Sequence, residues 1–119
     1  MPKKDEGGRY TVSALELDLL TVLVGEDLYG LEILYRINQA RKKVGMNSLK
    51  IGSLYPTLKR LEEAGLIEGE FREPVAGEGS PRRKYYRLLG DGEIAITRNQ
   101  AYRRLLAKEK MILPQGKHA

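Results

Sequence analysis

The sequence predicts a mainly α-helical domain with one small β-hairpin, its elements running α-α-α-β-β-α. Three observations predict this. Apolar residues recur at helical spacing in four stretches, at about 14–24, 29–43, 53–64 and 91–113. Two segments of strand character, 66–73 and 83–89, flank PVAGEGSPR, whose glycines and prolines mark a long hairpin tip. Caps and stops punctuate the helices, from Ser13 at the first to Pro114 after the last. A chain of 119 residues fits one domain with a modest core.

Each element has a local cause. Residues 1–12 are polar and glycine-containing, and are expected to form a mobile arm. Ser13 and Glu16 then form an S-x-x-E capping box, with Val12 and Leu17 placed as a hydrophobic staple. The first helix follows, with Leu15, Leu19, Leu20 and Leu23 on its apolar face and Gly25 at its end. The second helix has Ile33, Leu34 and Ile37 as its stripe. Its last turn carries Arg41, Lys42 and Lys43, which suit the negative end of the helix dipole, and Gly45 stops it. Residues 49–51 read as a brief strand.

The third helix takes Ser53 as N-cap and Pro56 in its first turn, where a missing N–H costs nothing. Leu54, Leu58 and Leu61 face inward at i, i+4 and i+7, and Gly65 ends the helix in a left-handed conformation. The last helix carries the apolar pairs Ile94 and Ala95, Ala101 and Tyr102, Leu105 and Leu106, Ile112 and Leu113. Three compact helices followed directly by a hairpin make a winged helix-turn-helix.

Charge is segregated along this frame. The chain has 21 Lys and Arg against 16 Asp and Glu, a formal charge of +5. Residues 10–35 hold five acidic residues and no basic one, and 33–61 hold seven basic residues and no acidic one. Arg82, Arg83, Lys84 and Arg87 form a second basic cluster in the hairpin. Such a distribution suggests a polyanion partner.

In a helix-turn-helix the last helix of the core enters the major groove, and its N-terminal residues meet base edges and phosphates. Ser53, Tyr55, Pro56, Thr57, Lys59 and Arg60 are the candidates to meet double-stranded DNA. Arg82, Arg83 and Lys84 would reach out from the hairpin, where arginine suits a narrow minor groove. The last helix has more apolar stripe than its own domain can cover, so it is expected to pair with a second copy. Leu15, Leu19, Ile94, Tyr102, Leu105, Leu106 and Ile112 would form that homodimer face. The chain thus divides into an arm (1–12), a winged helix-turn-helix (13–90), a dimerisation helix (91–113) and a mobile tail (114–119).

Other functions fit poorly. The single histidine, His118, lies in the tail and cysteine is absent. No nucleophile, base and orienter converge, so neither enzyme chemistry nor a cofactor or metal is expected. GEGS at 77–80 lacks the strand-before, helix-after setting of a phosphate loop. The stretch 15–24 is interrupted by Glu16, Asp18 and Thr21 and is too short to span a bilayer, and no secretory signal opens the chain. A soluble, cytoplasmic protein is expected.

Three stretches, YGLEIL (29–34), GSLYPTLKRLEEAGLI (52–67) and RRKYYRL (82–88), resemble the PadR-like winged-helix transcriptional regulators. The resemblance spans about 13–113 and is most specific in the LYP-x-L-x-R-L-E-x-x-G-L-I string. A single C-terminal helix looks like the compact subgroup, whose members dimerise through it. The resemblance implies a homodimeric DNA-binding regulator, usually a repressor, with Tyr55 as the tyrosine of the LYP motif and Arg82, Arg83 and Lys84 as wing residues. Two departures stand out: Leu89 replaces the Thr that usually caps the last helix, leaving Gly90 or Asp91 to cap, and tryptophan is absent. Compact members that take flat aromatic drugs between protomers use a tryptophan. Two alternatives to this function compete: a protein-interaction winged helix without DNA binding, and a sensor with a small-molecule effector between protomers beside Leu15, Leu19, Tyr102 and Leu106.

Overall fold

The computed structural model describes residues 2–74 and 82–109; the expected hairpin tip and residues 110–119, with Ile112, Pro114 and His118, lie outside the described residues. Two short N-terminal strands come first, β1 (Lys3–Lys4) and β2 (Tyr10–Thr11), paired antiparallel. They are followed by α1 (Ala14–Val22), β3 (Leu28–Tyr29), α2 (Gly30–Lys43) and α3 (Ile51–Glu63). The wing strands β4 (Ile67–Arg72) and β5 (Arg83–Leu88) precede α4 (Gly90–Lys108). The predicted fold class holds: four helices and a winged helix-turn-helix, with the last helix following the wing.

The capping box forms as expected. Ser13 N–H donates to Glu16 Oε1 at 2.7 Å, and Glu16 N–H donates to Ser13 Oγ at 3.2 Å. The core lies where α1, α2 and α3 meet the base of the wing; Leu19, Leu20, Ile33, Leu54, Leu58, Leu61 and Leu66 are wholly buried there. Helices α2 and α3 both end in Schellman motifs. Gly45 (φ +74°) and Gly65 (φ +76°) take the left-handed position. Met46 N–H reaches Arg41 O at 2.9 Å and Leu66 N–H reaches Leu61 O at 3.0 Å, answering carbonyls the helix itself leaves open.

Five expectations are corrected. Residues 2–12 are no mobile arm but a β-hairpin. Asp5 makes its turn by accepting from Gly7 and Arg9 N–H at 3.0 Å each, and its carboxylate pairs with Arg98 of α4. Residues 49–51 are no strand, and Ser53 is not the N-cap. The Asn38 side chain grips the Leu49 backbone from both sides, accepting its N–H at 2.7 Å and donating to its carbonyl at 3.1 Å. That grip turns the chain early, so Lys50 becomes the N-cap and its carbonyl accepts Ser53 N–H at 3.0 Å. Pro56 therefore sits in the second turn of α3, and the carbonyl it leaves open belongs to Gly52, at the surface. Neither Gly90 nor Asp91 caps α4. Leu89 holds that place by backbone alone, donating its N–H to Leu66 O at 3.0 Å.

The sheet order is β3-β5-β4, all antiparallel, so the turn before α2 extends the wing by a third strand. Helix α4 starts against the wing base. A Cβ on Gly92 would meet the Leu66 carbonyl and Leu88 Cδ1. Farther along, α4 leaves the core. Ala95 and Ile96 are buried, whereas Tyr102, Leu105 and Leu106 are more than half exposed.

Two predictions follow from this packing. Gly92→Ala would gain up to about 1 kcal/mol in an exposed helix. Here overpacking against backbone reverses the sign, and urea denaturation should report a loss of about 1–3 kcal/mol. The second concerns the hairpin turn. Hydrogen bonds from Arg9 and Gly7 and the Arg98 guanidinium hold the Asp5 carboxyl below its ordinary range. A depressed pKa in the folded state stabilises above the unfolded value and is lost as pH falls through the folded one. Amide resonances of Gly7 and Arg9 should therefore shift as pH drops below about 4, and Asp5→Asn should give the same shifts at neutral pH.

Candidate nucleic-acid interface

Helix α3 presents two faces for reasons of spacing alone. Leu54, Leu58 and Leu61 fix its inner face in the core, which turns Ser53, Tyr55, Pro56 and Lys59 outward. Lys59 makes no ion pair with any described residue. Thr57, expected on the outer face, is corrected: it is 1% exposed, one position from Leu58 on the buried side. Its hydroxyl donates to Ser53 O at 2.7 Å and accepts from Arg60 Nη2 at 3.0 Å. Thr57 thereby orients a half-buried Arg60 from beneath.

Tyr55 is 44% exposed, and its ring rests on the first residue of α2. A Cβ on Gly30 would lie 2.6 Å from the Tyr55 hydroxyl and 2.7 Å from Cε1. The glycine of YGLEIL and the tyrosine of LYP are thus one feature, a bare patch of backbone and the ring that covers it.

The wing obeys a period of two, so three consecutive side chains cannot share a face. On one face Arg83 stacks over the Tyr29 ring at 4.5 Å, Tyr29 meets Tyr85 edge-on with centroids 5.5 Å apart, and Arg72 lies 4.5 Å over Tyr85. Arg72 also pairs with Asp27 at 2.6 Å. On the opposite face Lys84 is corrected as an outward contact. Its Nζ turns to α3 and pairs with Glu62 Oε1 at 2.9 Å, over the rings of Tyr86 and Phe71. Arg82 is exposed, 5.4 Å over Phe71 and 3.9 Å from Glu73. Arg87 is tied to Glu68, its partner in the strand register, at 2.6 Å.

The structure therefore brings Ser53, Tyr55, Pro56, Lys59 and Arg60 onto one helix, with Arg82 and Arg83 on the adjoining wing. Sequence reasoning missed Tyr29, Gly30, Glu62, Phe71 and Tyr85, which support them. The alternation in RRKYYRL was the available signal for Tyr85, and the E of LYP-x-L-x-R-L-E-x-x-G-L-I was the one for Glu62.

The residues expected to pair two copies separate in the structure. Leu19 is corrected: it is wholly buried in its own core, and Leu15 is half-buried against it. Ile94, Tyr102, Leu105 and Leu106 are exposed on α4. A groove of about 270 Å³ opens between β2 and α4, lined by Tyr10, Val12, Ala95, Arg98 and Tyr102. Of the residues expected beside an effector, only Tyr102 borders it. No helix among the described residues is long and apolar enough to cross a membrane.

The sequence profile of the transcriptional regulator PadR-like family matches residues 19–98, from mid-α1 through the wing into α4. The chain belongs to this family. Solved structures agree with its PadR-like fold. A PadR-like transcription factor from Bacteroides fragilis is 32% identical, covering 79% of this chain and 84% of its own, with a TM-score of 0.64. A PadR family transcription regulator from Clostridium difficile is 26% identical over 81% of this chain and 93% of its own, also at 0.64. A transcriptional regulator from Clostridium thermocellum is 29% identical over 79% and 86%, at 0.62. No curated protein matches the chain significantly. The chain is thus a PadR-like transcriptional regulator.

Gly30→Ala tests the seat of Tyr55. It should shift the Tyr55 ring resonances and destabilise the fold by about 1–3 kcal/mol through overpacking. Gly52→Ala adds a Cβ that meets nothing within 4 Å and should leave both unchanged or improved.

Proposed function

We propose that this PadR-like chain is a homodimeric, sequence-specific DNA-binding regulator that represses transcription. The observation that carries the reading is the outer face of α3. Ser53, Tyr55, Pro56 and Lys59 stand clear of the core, Arg60 is poised beside them, and no acidic residue lies between 33 and 61. A guanidinium can grip guanine through two parallel hydrogen bonds, and lysine neutralises phosphate. Arg83, stacked on Tyr29, and Arg82, over Phe71 on the opposite face, place a cation on each face of the wing, toward where a minor groove would run.

The second support is α4. Its exposed Ile94, Tyr102, Leu105 and Leu106 match a helix that pairs with its own copy. A two-fold axis there would present two α3 helices to successive major grooves, about 34–36 Å apart. Repression then follows from occupancy: a dimer seated over a promoter excludes the polymerase.

Selection of bound duplexes from a random pool should return a pseudo-palindrome with half-sites about one helical turn apart. On that site Arg60→Ala and Tyr55→Ala should each weaken binding by about 1–3 kcal/mol, and Lys59→Ala should lower the salt slope by about 1. Full affinity in both the Arg60 and Tyr55 variants would remove α3 from the interface. In vitro transcription from a promoter bearing the site should fall as protein is added. Leu105→Glu with Leu106→Glu should yield monomers in sedimentation equilibrium and lose binding to the full site.

A further inference from the structure

The strand alternation that turns Lys84 away from the outer wing face leaves it beside α3. Its Nζ lies 2.9 Å from Glu62 Oε1, over Tyr86 at 5.6 Å and Phe71 at 5.7 Å. Both side chains of the pair are about one-third exposed. The room for this contact is made by a missing Cβ. Gly69 pairs with Tyr86 in the register, and a Cβ there would meet Lys84 Cε and stand 2.9 Å from Glu62 Oε2. One ion pair therefore joins the last turn of α3 to both strands of the wing.

We propose that Lys84 and Glu62 are positioning residues that set the attitude of the wing relative to α3, and through it the DNA sites that helix and wing can contact together. The inference rests on the DNA-binding reading and deepens it. The pairing accounts for two otherwise costly choices. Glu62 is an acidic residue on the helix proposed to approach a polyanion, and Gly69 lies mid-strand, where glycine weakens a sheet. Each is explained if the bridge matters more than the local penalty. The hydrogen bond from Lys84 to Glu62 also raises the lysine pKa above its ordinary value.

The decisive variant is Glu62→Gln. Removing a negative charge from a DNA-facing helix tightens binding when that charge acts only through the field. If Glu62 positions the wing, Glu62→Gln weakens operator binding instead, by about fivefold, as expected for one partly exposed ion pair. Lys84→Met should weaken binding to a similar degree while leaving the salt slope unchanged, whereas loss of a direct phosphate contact lowers that slope by about 1. Gly69→Ala keeps both charges and displaces the bridge, and should reproduce the Glu62→Gln loss. The swap Glu62→Lys with Lys84→Glu should restore most of the affinity. Footprints of all three single variants should lose protection under the wing and keep it under α3.

Tighter binding by Glu62→Gln, or a reduced salt slope with Lys84→Met, overturns the proposal. Hydrogen exchange in the free protein separates it from the DNA-binding reading. Amides of Phe71, Arg72, Lys84 and Tyr85 should exchange faster in Glu62→Gln and Gly69→Ala, with α1 unaffected. Unchanged exchange overturns the positioning role even if wild-type protein binds no duplex. Wild-type protein that binds no duplex while these amides respond overturns only the DNA-binding reading.

Discussion

The burial of one stripe of α3 is the constraint on which the other features rest. Leu54, Leu58 and Leu61 leave no rotational freedom to a helix of 13 residues. Each neighbouring device then fixes what remains. Asn38 sets where the helix begins by gripping the Leu49 backbone. Gly65 sets where it ends, and its Schellman bond delivers Leu66 straight into the core. Gly30 receives Tyr55 on one flank, and Lys84 meets Glu62 on the other. A surface proposed to match a rigid duplex needs such support, because a small misplacement of the first contacts removes their geometry.

Net charge is a poor guide to the interface without this frame. Much of the basic excess is engaged within the chain: Arg36 with Glu26, Arg41 with Asp18, Arg72 with Asp27, Arg87 with Glu68 and Arg98 with Asp5. Partly exposed pairs of this kind are worth about 0–1 kcal/mol each and cannot be what holds the fold. Their effect is to sort the charge. They neutralise acidic residues beside the wing and α2, and among the described residues Lys59, Arg60 and Arg83 are not drawn into these pairs. Among the described residues an aromatic face, that of Tyr29, rather than a carboxylate anchors Arg83.

The regular parts of the fold were legible in the sequence because each rests on contacts a few residues apart. The Ser13–Glu16 box, the Leu54–Leu58–Leu61 stripe and the glycine at 65 are local signals, and each formed as read. The departures share one cause: a distant partner overrode local preference. Asn38, 11 residues before Leu49, displaced Ser53 from the cap position. Arg98 of α4 holds Asp5, and so the expected arm becomes a hairpin. Leu66 O took the N–H of Leu89, making a side-chain cap unnecessary. At the site, the cluster RRK was visible as charge, but its division between two faces needed the strand register. Thr57 shows the same limit. A hydroxyl at a helical position reads as exposed until the helix phase is fixed to within one residue.

Helix α4 bears on how the parts act together. Its first turns are anchored at Gly92, Ala95 and Ile96, while Tyr102, Leu105 and Leu106 remain at the surface of the single chain. A helix extending from its core draws little stability from propensity alone, since most helical stability in proteins comes from burial of an apolar face. Order in the distal half of α4 is therefore coupled to whatever covers that stripe. If a second copy does, dimer formation and helix completion become one equilibrium, and the separation of two α3 helices is fixed only in the assembled state. Helix α4 begins against the Leu66 carbonyl, one residue past the turn that ends α3, through a contact with no side chain between the two backbones. The close approach at Gly92 thus places the exposed stripe of α4 and the outer face of α3, the two surfaces proposed for a second copy and for DNA, on directly contacting elements.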